Sequence, residues 1–293
     1  MSFAIKNLAQ DRAVLIAGPT ASGKSALALE IADTQGGQII NADALQVFSN
    51  WSVLTARPSK ADLKTADHYL YGHIGAHADY SVGHWLNDLR DILKKVDRPI
   101  IVGGTGLYFT ALTKGLADIP AIPSDVRTLA NHRMADEGSD VLLAELDTKT
   151  AARIDTLNPV RVQRAWEVLQ ATKTGLADWQ DRTPPPLMPL DQVQPIVFQT
   201  DKDWLNSRIV KRFDTMLEQG AIEEARHNLM DWNPNSLSSK AIGAPELIAY
   251  LKGGMTLGQA REAAIISSRQ YAKRQRTWFR ARMKTWQSYA CPF

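Results

Sequence analysis

The sequence predicts an α/β protein whose parallel sheet is flanked by helices and interrupted by an all-helical insertion. Short apolar segments alternate with helical ones over the first 115 residues, a pattern typical of a parallel sheet covered on both faces. A glycine-rich turn separates the first strand from the first helix. Beyond residue 115 only helical periodicity continues, until one more apolar strand follows a proline-rich stretch.

The N-terminal part contains the elements that define this sheet. Strands are predicted at 13–17, 38–41, 69–74 and 99–102, where β-branched and other apolar residues form short runs. Helices are predicted at 23–33 and 81–96 between them. The segments are short enough for strands of a buried sheet, so we expect one open α/β core here.

In the second half of the chain, the predicted secondary structure changes at two places. Helical periodicity is seen near 125–137, 140–147 and 159–172, and five of the 14 prolines then fall within 184–195. A strand follows at 195–198, with helices from Asp203 to the end, including a long one expected over 256–290. We therefore predict a core made of 1–115 and 196–293, with a helical insertion at 116–195.

Composition excludes several classes of protein. Apolar residues make up 44% and charged residues 22% of the 293, which is ordinary for a globular chain and not for a disordered one. A single cysteine excludes a disulfide framework and a multi-cysteine zinc site, and the six histidines show no metal-ligand spacing. The sequence has no signal-like or membrane-spanning run, so we expect a cytoplasmic protein.

The C-terminal segment is strongly basic. From Ala263 to Phe293 there are seven basic residues and no acidic one, although the net charge of the whole chain is only +3. On a helix, five cations fall within a stripe about 80° wide: Arg269, Lys273, Arg276, Arg280 and Lys284. Such a stripe favours a polyanionic partner that presents phosphates, although a solvated helix face would look the same.

The strongest local motif follows the first strand. It fits the pattern G-x-x-x-x-G-K-[ST], with the residues Gly18, Pro19, Thr20, Ala21, Ser22, Gly23, Lys24 and Ser25. Backbone N–H groups of such a loop and the following helix N-terminus bind phosphates, Lys24 neutralises them, and Ser25 is placed to hold Mg²⁺. The motif indicates a P-loop NTPase-like core and an oligophosphate ligand, without specifying ATP.

Polar residues end two of the predicted strands. Asp43 follows the second strand, where it is expected to face the phosphates as a general base, a metal ligand or a helix cap. The strand at 99–102 ends in Gly103-Gly104-Thr105-Gly106, whereas an ATPase is expected to have a metal-orienting aspartate there. The turn therefore disfavours an ATPase and favours Thr105 as a substrate contact, although a simple turn with Thr105 as helix N-cap would have the same sequence. Farther on, either Arg208 or Arg212 could reach a diphosphate.

Taken in order, these segments resemble the tRNA dimethylallyltransferase (tRNA isopentenyltransferase) family, bacterial type. The resemblance runs nearly from end to end of the chain. Its motifs are Gly18–Ser25, Ala42-Asp43 with Gln46-Val47, Thr55–Pro58, Val102–Tyr108, Arg161 with Arg164-Ala165 and Glu167-Val168, and Arg269–Arg280.

That resemblance implies a reaction and a division of roles. Members transfer the dimethylallyl group from dimethylallyl diphosphate to N6 of adenosine-37, next to the anticodon in tRNA, with Mg²⁺ assisting. Asp43 would be the base, Thr105 and Arg212 would contact the diphosphate, and Lys24 would neutralise it. The residues implied in tRNA binding are Asp43, Ala44, Leu45, Gln46, Thr105, Arg127, Arg161, Gln163, Arg164, Lys240, Arg269, Lys273, Arg276 and Arg280. We expect a monomer without membrane association.

Three other functions share part of this pattern. A small-molecule kinase would use the same loop with ATP, but it leaves the Gly103–Gly106 turn and the basic stripe unexplained. A prenyltransferase acting on free adenine nucleotides would need neither the insertion nor the basic segment. A non-catalytic RNA-binding protein would not need Asp43 and Thr105.

Overall fold

The computed structural model describes residues 8–290, which form two compact units. The described part of the core unit comprises residues 8–113 and 188–290, and the helical unit spans Lys114–Leu187. The observed boundary at 187/188 precedes the expected one at 195/196. The reason is that the 188–195 segment already packs on the core: Met188 N–H donates to the Leu112 carbonyl and Gln194 N–H to that of Ala13.

The core unit is built on a six-stranded sheet in which every neighbouring pair is parallel. The strands are β1 (Val14–Ala17), β2 (Gln38–Asn41), β3 (His68–Tyr69), β4 (Pro99–Gly103), β5 (Gln194–Gln199) and β6 (Gln287–Ala290). Their order across the sheet is β3-β2-β4-β1-β5-β6. The carboxyl ends of β1, β2 and β4 are therefore adjacent, which is where parallel sheets bind ligands.

Helices cover the sheet and form the rest of the core unit. They are α1 (Lys24–Gln35), α2 (Asp62–Thr65), α3 (Val82–Leu93), α4 (Gly106–Lys114), α10 (Lys202–Glu218), α11 (Ala221–His227), α12 (Ala244–Leu251) and α13 (Leu257–Arg282). Short 3₁₀ turns lie at Leu190–Gln192 and Ser238–Lys240. No helix within residues 8–290 combines the length and apolar character needed to cross a bilayer.

Several apolar clusters hold the described part of this unit together, and two of them carry helices that line the site. One packs α1 against the sheet through Ile16, Leu27, Ile31 and Ile100, all almost fully buried. The other joins α10, α11, α12 and α13 around the fully buried Trp51. Burial of such side chains contributes about 1.5–3 kcal/mol each, so these clusters fix the helices that carry the site.

The helical unit contains five helices and no strand. They are α5 (Ser124–Asp136), α6 (Ser139–Ala144), α7 (Thr148–Arg153), α8 (Pro159–Thr172) and α9 (Leu176–Asp181). Ala130, Leu142, Val162 and Trp166 form its buried centre. Asn158 caps α8 by accepting from Arg161 N–H, and Pro159 takes the first helical position, where it costs no hydrogen bond.

The C-terminal prediction was wrong in one respect. The long helix begins at the expected Thr256 capping box but ends at Arg282, and β6 extends the sheet where helix was expected to Ala290. The parallel partner β5 supplies the backbone hydrogen bonds of β6, a tertiary effect that local sequence does not report.

The third strand is also shorter than predicted: β3 has two residues, and Ile74 forms only an isolated bridge with Phe48.

Candidate active site

The phosphate loop lies between β1 and α1, as its motif predicts. Ala21 and Gly23 adopt left-handed φ angles of 61° and 94°, which turn the chain into the helix. Gly18 N–H donates to the Gly103 carbonyl over 3.3 Å, so the loop is joined to the end of β4. A glycine-rich loop that leads into a helix N-terminus in this way is an arrangement that binds phosphates.

Lys24 lies at the inner end of this loop. Its Nζ atom donates to the Pro19 carbonyl over 3.4 Å. Burial lowers the pKa of Lys24 to about 8; the Asp43 carboxylate opposes this shift and the Arg212 cation adds to it. An ammonium group with lowered pKa and few protein partners is well suited to pair with a phosphate.

Asp43 is held at the end of β2 by a network of hydrogen bonds. Asn41 accepts from Asp43 N–H over 2.8 Å and donates to the Asp43 carbonyl over 2.9 Å. One carboxylate oxygen of Asp43 accepts from Leu45 N–H over 3.0 Å. The side chain lines the cleft together with Lys24. A carboxylate fixed in this way can accept a proton or orient an amine.

Thr105 lies beside Asp43 at the end of β4. Its hydroxyl accepts from Ala44 N–H over 2.9 Å, and its own N–H donates to the Ala42 carbonyl over 3.2 Å. These bonds tie the two strand ends together. The structure thus brings Asp43 and Thr105 together, as the sequence predicted.

Asp43 and Lys24 line a cleft that opens to solvent. One wall is polar and includes Thr20 and Arg212. Its apolar wall consists of Leu54, Ile209, Phe213, Met216 and Ile242. Burial lowers the pKa of Arg212, and the nearby Asp43 opposes this shift. The cleft can therefore hold a ligand with a charged end and an aliphatic end.

A second opening on the outer side of the phosphate loop is strongly cationic. It is lined by Lys24, Ser25, Arg208, Lys211 and Arg212. Residues 8–290 contain no cluster of three or more His, Cys, Asp or Glu side chains that could form a protein-only metal site. The exposed Ser25 hydroxyl fits Mg²⁺, which commonly takes one or two protein ligands and binds mainly phosphates and water.

The segment 51–57 forms another edge of the cleft, and Glu224 anchors it. The carboxylate of Glu224 accepts hydrogen bonds from three successive N–H groups, those of Ser52, Val53 and Leu54, at 2.5, 2.8 and 2.9 Å. Gln46 donates to the carbonyls of Thr55 and Ala56. The Gln46 amino group therefore holds this segment, while the side chain also lines the cleft.

Four of the predicted RNA-binding cations lie on α13. Arg269 and Arg276 are partly buried, whereas Lys273 and Arg280 are exposed. No ion pair involves any of these four among the described residues. Lys284, counted in the predicted stripe, follows the helix end at Arg282 and lines a groove with Arg276 and Arg280. Lys240 is exposed at the end of a 3₁₀ turn.

The other predicted RNA-binding residues belong to the helical unit. Burial lowers the pKa of Arg164 on α8, and the nearby cation of Arg127 on α5 adds to this shift. Gln163 donates to Asn131 and Glu167 over 2.7 and 3.0 Å, which indicates a packing role for its amide. Arg161 lies 3.8 Å from Asp155. Arg164 in turn lies 3.8 Å from Glu167.

Sequence reasoning missed two residues of the site. Glu224, which anchors the cleft edge, lies on α11 among exposed charged residues and belongs to no motif. Gln275 on α13 accepts a hydrogen bond from Thr20 N–H in the phosphate loop over 2.8 Å. Its position inside the basic C-terminal motif was the only available signal, and that motif predicted an RNA contact instead.

This fold and this cleft define a P-loop enzyme that acts on a substrate with an anionic phosphate end and an apolar end. Comparison with known proteins identifies the family to which the chain belongs. The family model described as IPP transferase matches residues 46–282, and one described as isopentenyl transferase matches residues 11–73. The chain belongs to the IPP transferase family.

Relatives match over nearly their whole length. A tRNA dimethylallyltransferase of Cereibacter sphaeroides is 57% identical over 282 residues, covering 96% of this chain and 97% of the relative. One from Roseobacter denitrificans is 58% identical over 279 residues, covering 95% and 99%. The crystal structure of the full-length tRNA isopentenylpyrophosphate transferase from Bacillus halodurans is 29% identical, with a TM-score of 0.68, covering 96% of this chain and 90% of that one.

Proposed function

We propose that this chain transfers the dimethylallyl group of dimethylallyl diphosphate to N6 of adenosine-37, next to the anticodon in tRNA, and releases diphosphate. The relatives that carry this activity in their names match almost end to end. The observation that carries the proposal is the cleft itself, because Lys24, Arg212 and Asp43 line it together with the apolar wall.

The cationic part of the cleft suits the leaving group. As the C1–O bond of the donor breaks, its electron pair stays with the diphosphate, where negative charge builds up. Lys24, Arg212 and the loop N–H groups stabilise that charge because they are fixed in place before the reaction. Mg²⁺ held by Ser25 and the phosphates would add a Lewis acid to this set.

The apolar wall suits the prenyl group. Leu54, Phe213 and Met216 come from a loop and a helix that are both packed into the same buried cluster. A five-carbon aliphatic group that packs against them is removed from water. Burial of its apolar surface contributes about 25 cal/mol to the binding free energy for each Å² buried. Exclusion of water also protects the allylic cation from hydrolysis.

The carboxylate of Asp43 suits the acceptor. The lone pair of an adenine exocyclic amine is delocalised into the ring, so the amine is a weak nucleophile. As the new N6–C1 bond forms, Asp43 accepts the proton that N6 loses. The adenine must leave its stack to reach this point. The cations of α13 and of the helical unit would bind the phosphates of the anticodon stem-loop.

One assay separates this function from its alternatives. The protein is incubated with labelled dimethylallyl diphosphate, Mg²⁺ and total tRNA, and the digested tRNA is analysed for N6-dimethylallyladenosine. We expect label in that nucleoside. Label in free adenine nucleotides, ATP consumption without prenyl transfer, or tRNA binding without product would each contradict the proposal and point to one of the three alternatives.

A further inference from the structure

One face of α13 packs against the turn that follows β4. Tyr271, Gln275 and Trp278 are spaced i, i+4 and i+7, so they share this face. Tyr271 lies near Thr105, and Gln275 Nε2 donates to the Gly104 carbonyl over 2.9 Å. Trp278 lies against Gly106, which follows Thr105 in the turn. Three consecutive residues of the turn therefore contact the same helix.

Glycine is required in this turn by the closeness of the helix. A Cβ atom on Gly106 would lie 2.1 Å from the indole nitrogen of Trp278, and one on Gly104 would lie 2.2 Å from Gln275 Nε2. The same Cβ on Gly104 would be 3.2 Å from Oδ2 of Asp43. The position that a Gly104 side chain would occupy is therefore bounded by both Gln275 and the candidate base.

Gln275 also reaches the phosphate loop. Its Oε1 atom accepts from Thr20 N–H over 2.8 Å while its Nε2 atom donates to Gly104. The side chain is 5% exposed, so both bonds are shielded from water. A buried amide that uses both its donor and its acceptor on backbone groups of two different loops fixes the distance between them.

We propose that Gln275 is a positioning residue for prenyl transfer. It holds the phosphate loop, which binds the leaving group, at a set distance from the Gly104–Thr105 turn, which packs against Asp43. This inference rests on the proposed function. It assigns to one uncharged side chain in the basic helix a role in the donor site rather than in RNA binding.

The geometry explains why the residue is a glutamine. Methionine has a similar length but can form neither hydrogen bond. A glutamate carboxylate could accept from Thr20 but could not donate to Gly104, and it would add a negative charge beside the diphosphate. A protonated glutamic acid could form both bonds. In Gln275→Glu, the two hydrogen bonds can therefore form together only when the introduced carboxyl group is protonated.

The two faces of α13 provide an internal control. At about 100° per residue, Gln275 lies roughly 140° from Arg280 around the helix axis. A change at Gln275 is therefore expected to leave the cationic face intact. A purely structural defect of α13 would alter RNA binding as well, whereas a positioning defect would alter turnover alone.

The test compares Gln275→Met, Gln275→Glu and the matched control Gln270→Met, which lies on the same helix and is exposed. For each full-length variant we would measure kcat, KM for dimethylallyl diphosphate, and Kd for an anticodon stem-loop RNA. We expect Gln275→Met to lower kcat roughly 10- to 100-fold with RNA Kd changed less than twofold. Gln270→Met should match the wild type.

The pH profile of Gln275→Glu gives the second readout. Burial and the Asp43 carboxylate raise the pKa of a carboxyl group here, while Lys24 opposes this and Tyr271 is neutral. We expect the kcat of Gln275→Glu, divided by that of the wild type, to rise at least fivefold from pH 8 to pH 6. The corresponding ratio for Gln275→Met should stay flat.

Three outcomes would overturn the inference. They are a kcat within twofold of wild type for Gln275→Met, an equal loss of turnover and RNA affinity, and a flat pH ratio for Gln275→Glu. If Gln275→Met does not fold, the pH ratio of Gln275→Glu decides alone. Failure of the proposed function is distinguishable, because the wild-type protein would then form no prenylated adenosine under any condition.

Discussion

The guanidinium group of Arg208 donates a hydrogen bond of 2.8 Å from Nε to the carbonyl of Ala21 in the phosphate loop. Arg208 also lies over the ring of Trp204, 4.8 Å from its centroid. Arg212, one turn later on α10, lines the cleft that contains Lys24 and Asp43. The sequence left open which arginine reaches the diphosphate. The structure gives Arg208 a contact to the loop and places Arg212, but not Arg208, in the lining of the cleft.

Substitution of these two arginines should therefore have unequal effects. Arg212→Ala removes a fixed cation that faces the leaving group, so we expect kcat/KM for the donor to fall about 10²–10³-fold. Arg208→Ala removes one hydrogen bond to a loop carbonyl, worth about 1 kcal/mol, and should raise the donor KM roughly fivefold. Steady-state kinetics of both variants checks this, and equal losses would contradict the division of roles.

The lowered pKa of Lys24 predicts a pH-dependent affinity for diphosphate. Lys24 is charged below its pKa of about 8 and becomes neutral above it, so diphosphate affinity should be constant near pH 6.5 and fall toward pH 9.5. At pH 8.5, binding should take up a proton, visible by calorimetry in buffers of different ionisation enthalpy. Lys24→Met should show weak binding without that uptake. Proton uptake that persists in Lys24→Met would assign the titration to another group.

The same shift makes a prediction about stability. In the unfolded chain Lys24 keeps its usual pKa of 10.5, so between pH 8 and 10.5 the unfolded state binds more protons than the folded state. The contribution of Lys24 to the free energy of unfolding therefore rises with pH across that window, and the cost of burying the charge is largest below it. Lys24→Met should accordingly raise Tm at pH 7 while it abolishes transfer.

The assignment of Asp43 as the base can be tested with an isosteric change. Asp43→Asn can still accept a hydrogen bond from Leu45 N–H but cannot take up the N6 proton. We expect turnover to fall roughly 10²–10⁴-fold with little change in RNA affinity. Asp91→Asn, at an exposed position beside Lys94, is the matched control. Turnover near the wild-type rate in Asp43→Asn would reject the assignment.

The basic face of α13 predicts a salt-dependent contact with RNA. Arg276→Ala combined with Arg280→Ala should weaken binding of the anticodon stem-loop and flatten the slope of log K against log salt by about 1.5. Diphosphate binding should not change. The control pair Lys95→Ala with Lys252→Ala removes the same charge at exposed positions elsewhere. An unaltered salt slope in the Arg276 and Arg280 variant would mean that this face is only solvated.

Sequence reasoning predicted the parts of the site that depend on local chemistry. The phosphate loop was evident because its glycines and Lys24 follow a strand and open a helix, and the positions of Asp43 and Thr105 follow from the geometry of parallel strands. The family resemblance added the reaction. Together these accounted for the first five strands of the sheet, apart from the length of β3, and for the polar wall of the cleft.

The missed features depend on contacts between distant segments. β6 contains no strand signal of its own and forms because β5 presents a free edge. Gln275 and Glu224 bond to backbone groups more than 150 residues away, and a single glutamine or glutamate on a helix carries no pattern that reveals such a partner. Only the folded chain shows that the basic helix also supports the donor site.

The central claim is that donor and acceptor meet across this one cleft. The most direct measurement is a crystal structure of the protein with a non-cleavable thiolo analogue of dimethylallyl diphosphate and an anticodon stem-loop RNA. We predict the diphosphate on the phosphate loop in contact with Lys24 and Arg212, and N6 of the flipped adenine within hydrogen-bonding distance of Asp43. Two ligands bound at separate places, with the adenine remote from Asp43, would contradict the account.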